Sequence, residues 1–203
     1  QGDIFLNIFI DIINKKIDIN KNNSIPILNN CSAHKEFFVG EVTIDKTFGG
    51  RIDIYITNKK CSLIIENKID AGSQTNQLLR YYNYGKQNYN DNFWLIYLQK
   101  MEENHYEDDL NYTTGFGNEL LKDIPLKIKD RVIKITYQHE ILEFLNLCLK
   151  ETVHLPIIRE TLNQYIFLIK KITNQSTNII MSESLIKLIT SSPGNIESAM
   201  QIS

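Results

Sequence analysis

Three side chains in this sequence have types and a spacing that fit one chemistry: Asp53, Glu66 and Lys68. Asp53 lies in Arg51-Ile52-Asp53-Ile54-Tyr55-Ile56, and the other two lie in Leu63-Ile64-Ile65-Glu66-Asn67-Lys68. Side chains alternate across a strand with a period of two. The first run therefore puts Ile52, Ile54 and Ile56 on one face and Asp53 with Tyr55 on the other. The second puts Leu63 and Ile65 on one face and Ile64, Glu66 and Lys68 on the opposite one. Brought to neighbouring positions, Asp53 and Glu66 repel each other unless a cation sits between them. All-oxygen ligation suits magnesium or manganese better than zinc, and the Ile65 carbonyl offers a further oxygen. A cation held this way polarises a phosphoryl oxygen and lowers the pKa of a bound water. Lys68 is then placed to orient that water and share the developing negative charge. The same pattern also fits a solvated hairpin face with cross-strand ion pairs, which contribute little. Against that reading stands the unbroken run Leu63-Ile64-Ile65, typical of a strand covered on both sides, where charge is costly.

The elements that must position these residues are legible from periodicity. Thr57-Asn58-Lys59-Lys60 is short and polar, and Asn58 tolerates tight-turn dihedrals, so the two runs read as a hairpin. A strand over 36–44 precedes it and carries Glu41. A helix over 74–90 follows, with Gln74, Gln77 and Tyr81 at i, i+3 and i+7 on one stripe. Gln77 and Tyr81 fit core packing as well as a role in positioning a phosphate or a metal-bound water. Arg51 and Arg80 fit either phosphate contacts or ordinary exposed positions. Residues 4–15 read as a buried helix, 18–33 as an Asn-rich loop with Pro26, and 93–98 as a core strand. The stretch 99–124 reads as an acidic loop. A strand near 131–136 is accompanied by Lys127, Lys129, Arg131 and Lys134, a cluster that suits a phosphate backbone or a plain basic surface. Helices near 137–150, 156–173 and 182–190 complete an α/β domain with a mixed central sheet flanked by helices.

On Gly50-Arg51-Ile52-Asp53-Ile54, Ile64-Ile65-Glu66-Asn67-Lys68-Ile69 and Gln77-x-x-x-Tyr81, the chain resembles the PD-(D/E)XK nuclease superfamily, in its RecB-like branch with a Gln-x-x-x-Tyr element. It is similar to a bacterial and prophage group with a Gly-Arg-Ile-Asp-Ile core and a late Gln-Tyr helix, here Gln164-Tyr165. The resemblance implies a restriction-endonuclease-like core and hydrolysis of phosphodiesters, in DNA, with Mg2+ or Mn2+. It implies Asp53 and Glu66 as metal ligands, Lys68 as the catalytic lysine, and Gln77 and Tyr81 as accessory residues. It also implies products with 5′-phosphate and 3′-hydroxyl ends. Members often carry another acidic residue on an N-terminal helix. This sequence opens at Gln1-Gly2-Asp3 on what looks like the middle of such a domain, so an upstream segment is expected to hold that acid. Glu41 is the nearest substitute within the sequence. Arg51 and Arg80 are the other accessory candidates.

Composition bounds the alternatives. With 203 residues and 42% hydrophobic content, one sizeable core is expected over 1–203. Its sheet part covers about 36–136 and its helical part about 137–203. A net charge of −2 argues mildly against strong non-specific DNA affinity, although phosphate contacts can be local. Cys31, Cys61 and Cys148 lack metal-ligand spacing and read as buried thiols of a cytoplasmic protein. No apolar run approaches the roughly 18–20 residues of a membrane span. No phosphate-binding Gly-rich loop or nucleophile elbow appears. Two other functions use the same fold: a nucleic-acid-binding module without turnover, and a protein-interaction domain of a prophage or defence assembly.

Overall fold

Strand β4 (Phe93–Gln99, Phe-Trp-Leu-Ile-Tyr-Leu-Gln) is buried at every position, as its unbroken apolar run requires of a strand covered on both faces. It sits in a five-stranded sheet of order β1-β2-β3-β4-β5 in a computed structural model that describes residues 2–17, 24–69, 74–102, 128 and 131–175. The other strands are β1 (Ser32–Phe38), β2 (Arg51–Thr57), β3 (Ser62–Lys68) and β5 (Val132–Thr136). β1, β2 and β3 pair antiparallel, whereas β4 runs parallel to both β3 and β5. Parallel neighbours need a crossover, and helix α2 (Gln77–Tyr89) supplies it between β3 and β4. The sheet is mixed and has helices on both sides, as expected for a restriction-endonuclease-like α/β fold.

The period-two pattern of β3 and β4 divides the core. Leu63, Ile65, Trp94, Ile96 and Leu98 pack on one side with helix α1 (Gly2–Asn14) and the C-terminal helices. Ile64, Leu95 and Tyr97 pack on the other with Leu78, Leu79 and Tyr81 of α2. The C-terminal helices are α3 (Leu142–Glu151), entered through a π-helical turn at Tyr137–Ile141, and α4 (Pro156–Ile172). On α1, Asn7 and Asn14 stand one heptad apart and so share a helix face. Each amide grips one backbone unit. Asn7 Nδ2 donates to Leu28 O (3.3 Å) while Leu28 N donates to Asn7 Oδ1 (3.1 Å). Asn14 does the same with Ile25, at 2.9 and 2.8 Å. These two polar breaks in the apolar helix thus satisfy the backbone of the segment that leads into β1.

The strand expected over 36–44 runs instead over Ser32–Phe38, because its partner β2 pairs it from Thr57 opposite Ser32. The chain then leaves the sheet at Gly40, whose φ of 111° suits glycine alone. Glu41 therefore lies on a loop. In the β2–β3 turn, Lys59 rather than Asn58 takes the left-handed backbone (φ 72°). Asn58 serves through its side chain, whose Oδ1 accepts from Lys60 N and Cys61 N, an Asx arrangement.

The single face expected for Ile52, Ile54 and Ile56 does not form. Ile54 and Ile56 pack toward α1, but Ile52 packs with Tyr55 in the α2-side core. The alternation breaks at Asp53. Opposite it in the β1–β2 register is Glu36, with φ 49°, and that pair drops out of the ladder between Lys35↔Ile54 and Phe37↔Ile52. The turned strand brings Phe37 onto Tyr55, with ring centroids 4.5 Å apart.

Gln74 precedes α2 rather than lying in it, since the helix begins after Asn76 in the left-handed conformation. Cys31 is half-buried, while Cys61 and Cys148 are buried, and all three are free thiols. Among the described residues, no helix is long and apolar enough to cross a membrane. Lys127, Lys129, nearly all of the acidic stretch and the helix expected near 182–190 lie outside the described residues. Arg131 is engaged with Asp91, through both its backbone carbonyl and its carboxylate, and lies over the Phe93 ring.

Candidate active site

A cleft of about 410 Å3 opens where the C-terminal end of β3 meets the turned end of β2 and the start of α2. Asp53, Glu66, Asn67, Lys68, Gln77 and Arg51 line it, with Glu36 and Glu41 at its β1 side. The two-residue spacing of Glu66 and Lys68 puts both on the α2 face of β3, where they are 3% and 6% exposed. Lys68 Nζ lies 3.2 Å from Glu66 Oε1. A charge this deep is tolerated only when paired and hydrogen-bonded. Gln77 gives Lys68 its second acceptor, with Nζ donating to Gln77 Oε1 at 3.0 Å.

That bond starts a directional chain. Gln77 Nε2 donates to the Tyr81 hydroxyl at 3.2 Å, and Tyr81 donates to the Arg51 carbonyl. Gln77 and Tyr81 are four residues apart on α2 and so stack on one stripe. The chain links the end of β3, the first turns of α2 and the start of β2. Burial, followed by the Glu66 carboxylate, pushes the Tyr81 phenol well above its ordinary range. Tyr81 accordingly stays protonated and keeps donating.

Asp53 is half-buried, and its Oδ2 accepts the Asn67 backbone N–H at 2.7 Å. Glu66 and Asp53 thus stand on one cleft, one held by Lys68 and the other by the backbone of the next strand. Glu41 lines the same cleft from its loop, so the distance in sequence is closed by tertiary structure. Arg51 lines it too and pairs with Glu36 at 3.3 Å, both side chains being mostly exposed.

Arg80 departs from both of its expected roles. It is 4% exposed. Its Nε donates to Gly49 O at 3.0 Å, its Nη1 to Thr75 O and its Nη2 to Gln74 Oε1 at 3.3 Å. Burial lowers its pKa, with Tyr81 and Glu66 opposing that shift. Arg80 ties the two loops that frame the cleft to each other. Gln164 and Tyr165 lie elsewhere. Gln164 bonds Glu160 on α4, and Tyr165 borders an apolar cavity on the α1 side of the sheet. Sequence reasoning missed Glu36, because its place at the cleft depends on β1–β2 pairing and no local pattern encodes that.

The donor set fits a hard divalent cation. Four carboxylates (Glu36, Glu41, Asp53, Glu66) and two cationic side chains (Arg51, Lys68) line the cleft among the described residues. An anionic ligand would be repelled there without an added positive charge. No three His, Cys, Asp or Glu side chains form a ligand group among the described residues. The site would rest on Asp53 and Glu66, completed by water and ligand oxygens, a mode magnesium favours. Gln99, the register partner of Lys68 on β4, is buried, and its Oε1 accepts no hydrogen bond among the described residues.

No curated protein and no solved structure matches the chain. A model of one protein family matches residues 1–173, which include α1, the whole sheet and both C-terminal helices. With that match spanning the cleft and every element that builds it, the chain belongs to the PD-(D/E)XK nuclease superfamily.

Proposed function

We propose that the protein is a divalent-metal-dependent nuclease that hydrolyses phosphodiester bonds in DNA. The observation that carries this reading is Lys68, buried between Glu66 and Gln77 on the wall of the cleft that Asp53 lines. A buried ammonium paired with a buried carboxylate is an expensive arrangement for stability alone and a useful one for charge that develops during phosphoryl transfer. Mg2+ or Mn2+ held by Asp53, Glu66 and the Ile65 carbonyl would polarise the phosphoryl oxygen and acidify water.

The chain's own residues do the rest. Lys68 orients the attacking water and stabilises charge building on the phosphate. Gln77 and Tyr81 fix Lys68, and Arg51 offers a contact to a flanking phosphate at the cleft mouth. The water oxygen bonds to phosphorus as the P–O3′ bond breaks, and the 3′ oxygen takes up a proton. The products carry 5′-phosphate and 3′-hydroxyl ends.

The test is cleavage of linear, circular and single-stranded DNA and of RNA in Mn2+ and in Mg2+. Two near-isosteric variants, Glu66→Gln and Lys68→Met, serve as controls, each checked by circular dichroism. We expect cleavage by the natural sequence, loss on chelation, and at least a hundredfold loss in each folded variant. Undiminished cleavage by both variants would refute the assignment. Salt-dependent DNA binding without turnover in either metal would instead make the protein a binding module on this fold.

A further inference from the structure

Asn67 is the middle residue of Glu66-Asn67-Lys68, and alternation turns its side chain to the opposite face of β3 from its neighbours. There the Tyr137 hydroxyl donates to Asn67 Oδ1 at 3.1 Å. The backbone N–H of the same residue donates to Asp53 Oδ2 at 2.7 Å. One residue is thus gripped from the α1 side of the sheet and itself grips a carboxylate on the cleft.

Tyr137 is well placed to act as an anchor. It is 5% exposed and opens the π-helical turn after β5. The residue before it is locked. Thr136 donates to Glu140 Oε2 through its N–H (2.7 Å) and its hydroxyl (3.0 Å), and accepts from His139 N at 3.1 Å. Burial, then the neighbouring Tyr165, raises the Tyr137 phenol above its ordinary range, and the Asp53 carboxylate adds to the shift. The phenol therefore stays protonated and keeps its donor proton.

We propose that Tyr137 is a positioning residue for the cleft: acting through Asn67, its hydroxyl sets the orientation in which Asp53 takes a divalent cation. The proposal rests on the nuclease reading above. The effect of Tyr137 passes to Asp53 through one side-chain bond and one backbone bond. Partners behind a ligand commonly carry a 10–100-fold share of metal affinity.

The experiment compares the full chain with Tyr137→Phe, Asn67→Ala and the double variant. Mn2+ binding is measured by calorimetry without nucleic acid. The Mn2+ dependence of cleavage, KM for DNA and the thermal midpoint are measured alongside. We expect each single variant to weaken Mn2+ binding about tenfold or more, with KM for DNA unchanged and kcat largely restored at saturating Mn2+. We expect the double variant to be no worse than Asn67→Ala, because the two changes cut the same link. A lowered midpoint with unchanged Mn2+ affinity would mean a merely structural hydroxyl and would overturn the proposal. If Tyr137→Phe does not fold, Asn67→Ala alone decides, since it removes the acceptor and leaves the backbone N–H. Variants that match a metal-binding, DNA-cleaving natural sequence overturn this proposal and leave the nuclease reading standing. A natural sequence that neither binds Mn2+ nor cleaves overturns both.

Discussion

Gln77 makes the clearest residue-scale case, because its one amide accepts from Lys68 and donates to Tyr81. No apolar residue of similar size can do either. Gln77→Leu should leave the helix intact and let the Lys68 ammonium drift from its place. Misplacing a reacting group by about an ångström costs on the order of a hundredfold in rate, so cleavage should fall by that order with little change in the far-ultraviolet spectrum. Retained activity in Gln77→Leu would place the amide among plain packing residues. Arg80 makes a different prediction. Its guanidinium serves three acceptors on two loops, a fork that a lysine cannot reproduce. Arg80→Lys should lower stability by about 1–3 kcal/mol, because buried carbonyls lose their donors. Urea denaturation would show it.

At the scale of elements, helix α2 is set by how closely it approaches β4. Gly85 faces Phe93 so tightly that a Cβ there would lie 2.3 Å from the ring. Gly85→Ala should push the helix off the sheet at a cost of about 1–3 kcal/mol. Because α2 carries Gln77 and Tyr81, the same change should reduce cleavage although Gly85 lies about two turns from Gln77 and about one from Tyr81. A denaturation midpoint equal to that of the natural sequence would contradict it. Helix α1 works through polar groups instead. Asn14→Ala leaves the Ile25 N–H and carbonyl without the side chain that pairs both. It should cost about 1–3 kcal/mol, again read by urea denaturation.

The whole molecule is a sheet whose two faces have separate tasks. The α2 face ends in the cleft, and the α1 face holds the larger apolar core and the helices that brace β5. An ionic contact joins the turn that follows α1 to the turn after β5: Lys16 Nζ lies 2.6 Å from Glu140 Oε1. Burial on its own would raise the Glu140 carboxyl, but Lys16 and the Thr136 N–H and hydroxyl outweigh it and hold the pKa below the ordinary 4.5. A carboxyl lowered on folding contributes stability that is present above its unfolded value and lost as pH falls through the folded one. The thermal midpoint should therefore hold down to about pH 5 and decline below it. Glu140→Gln should lower the midpoint at neutral pH and flatten that decline, a result that midpoints measured across the acid range would test.

The sequence by itself determined the alternating faces of β3 and β4, the buried character of β4, the helical stripe of Gln77 and Tyr81, and the shared face of Glu66 and Lys68. All of these follow from local sterics with periods of two or 3.6, and short windows carry them in full. Tertiary structure alone decided the rest. The turn of β2 that moves Ile52 away from Ile54 arises where Glu36 opposes Asp53 across two strands. Glu41 reaches the cleft because a loop folds back, and Arg80 is buried because two loops converge on it. Tyr137 meets Asn67 across 70 residues of sequence. Contacts of this kind depend on which distant segments pack together, and a pattern read a few residues at a time holds no record of that.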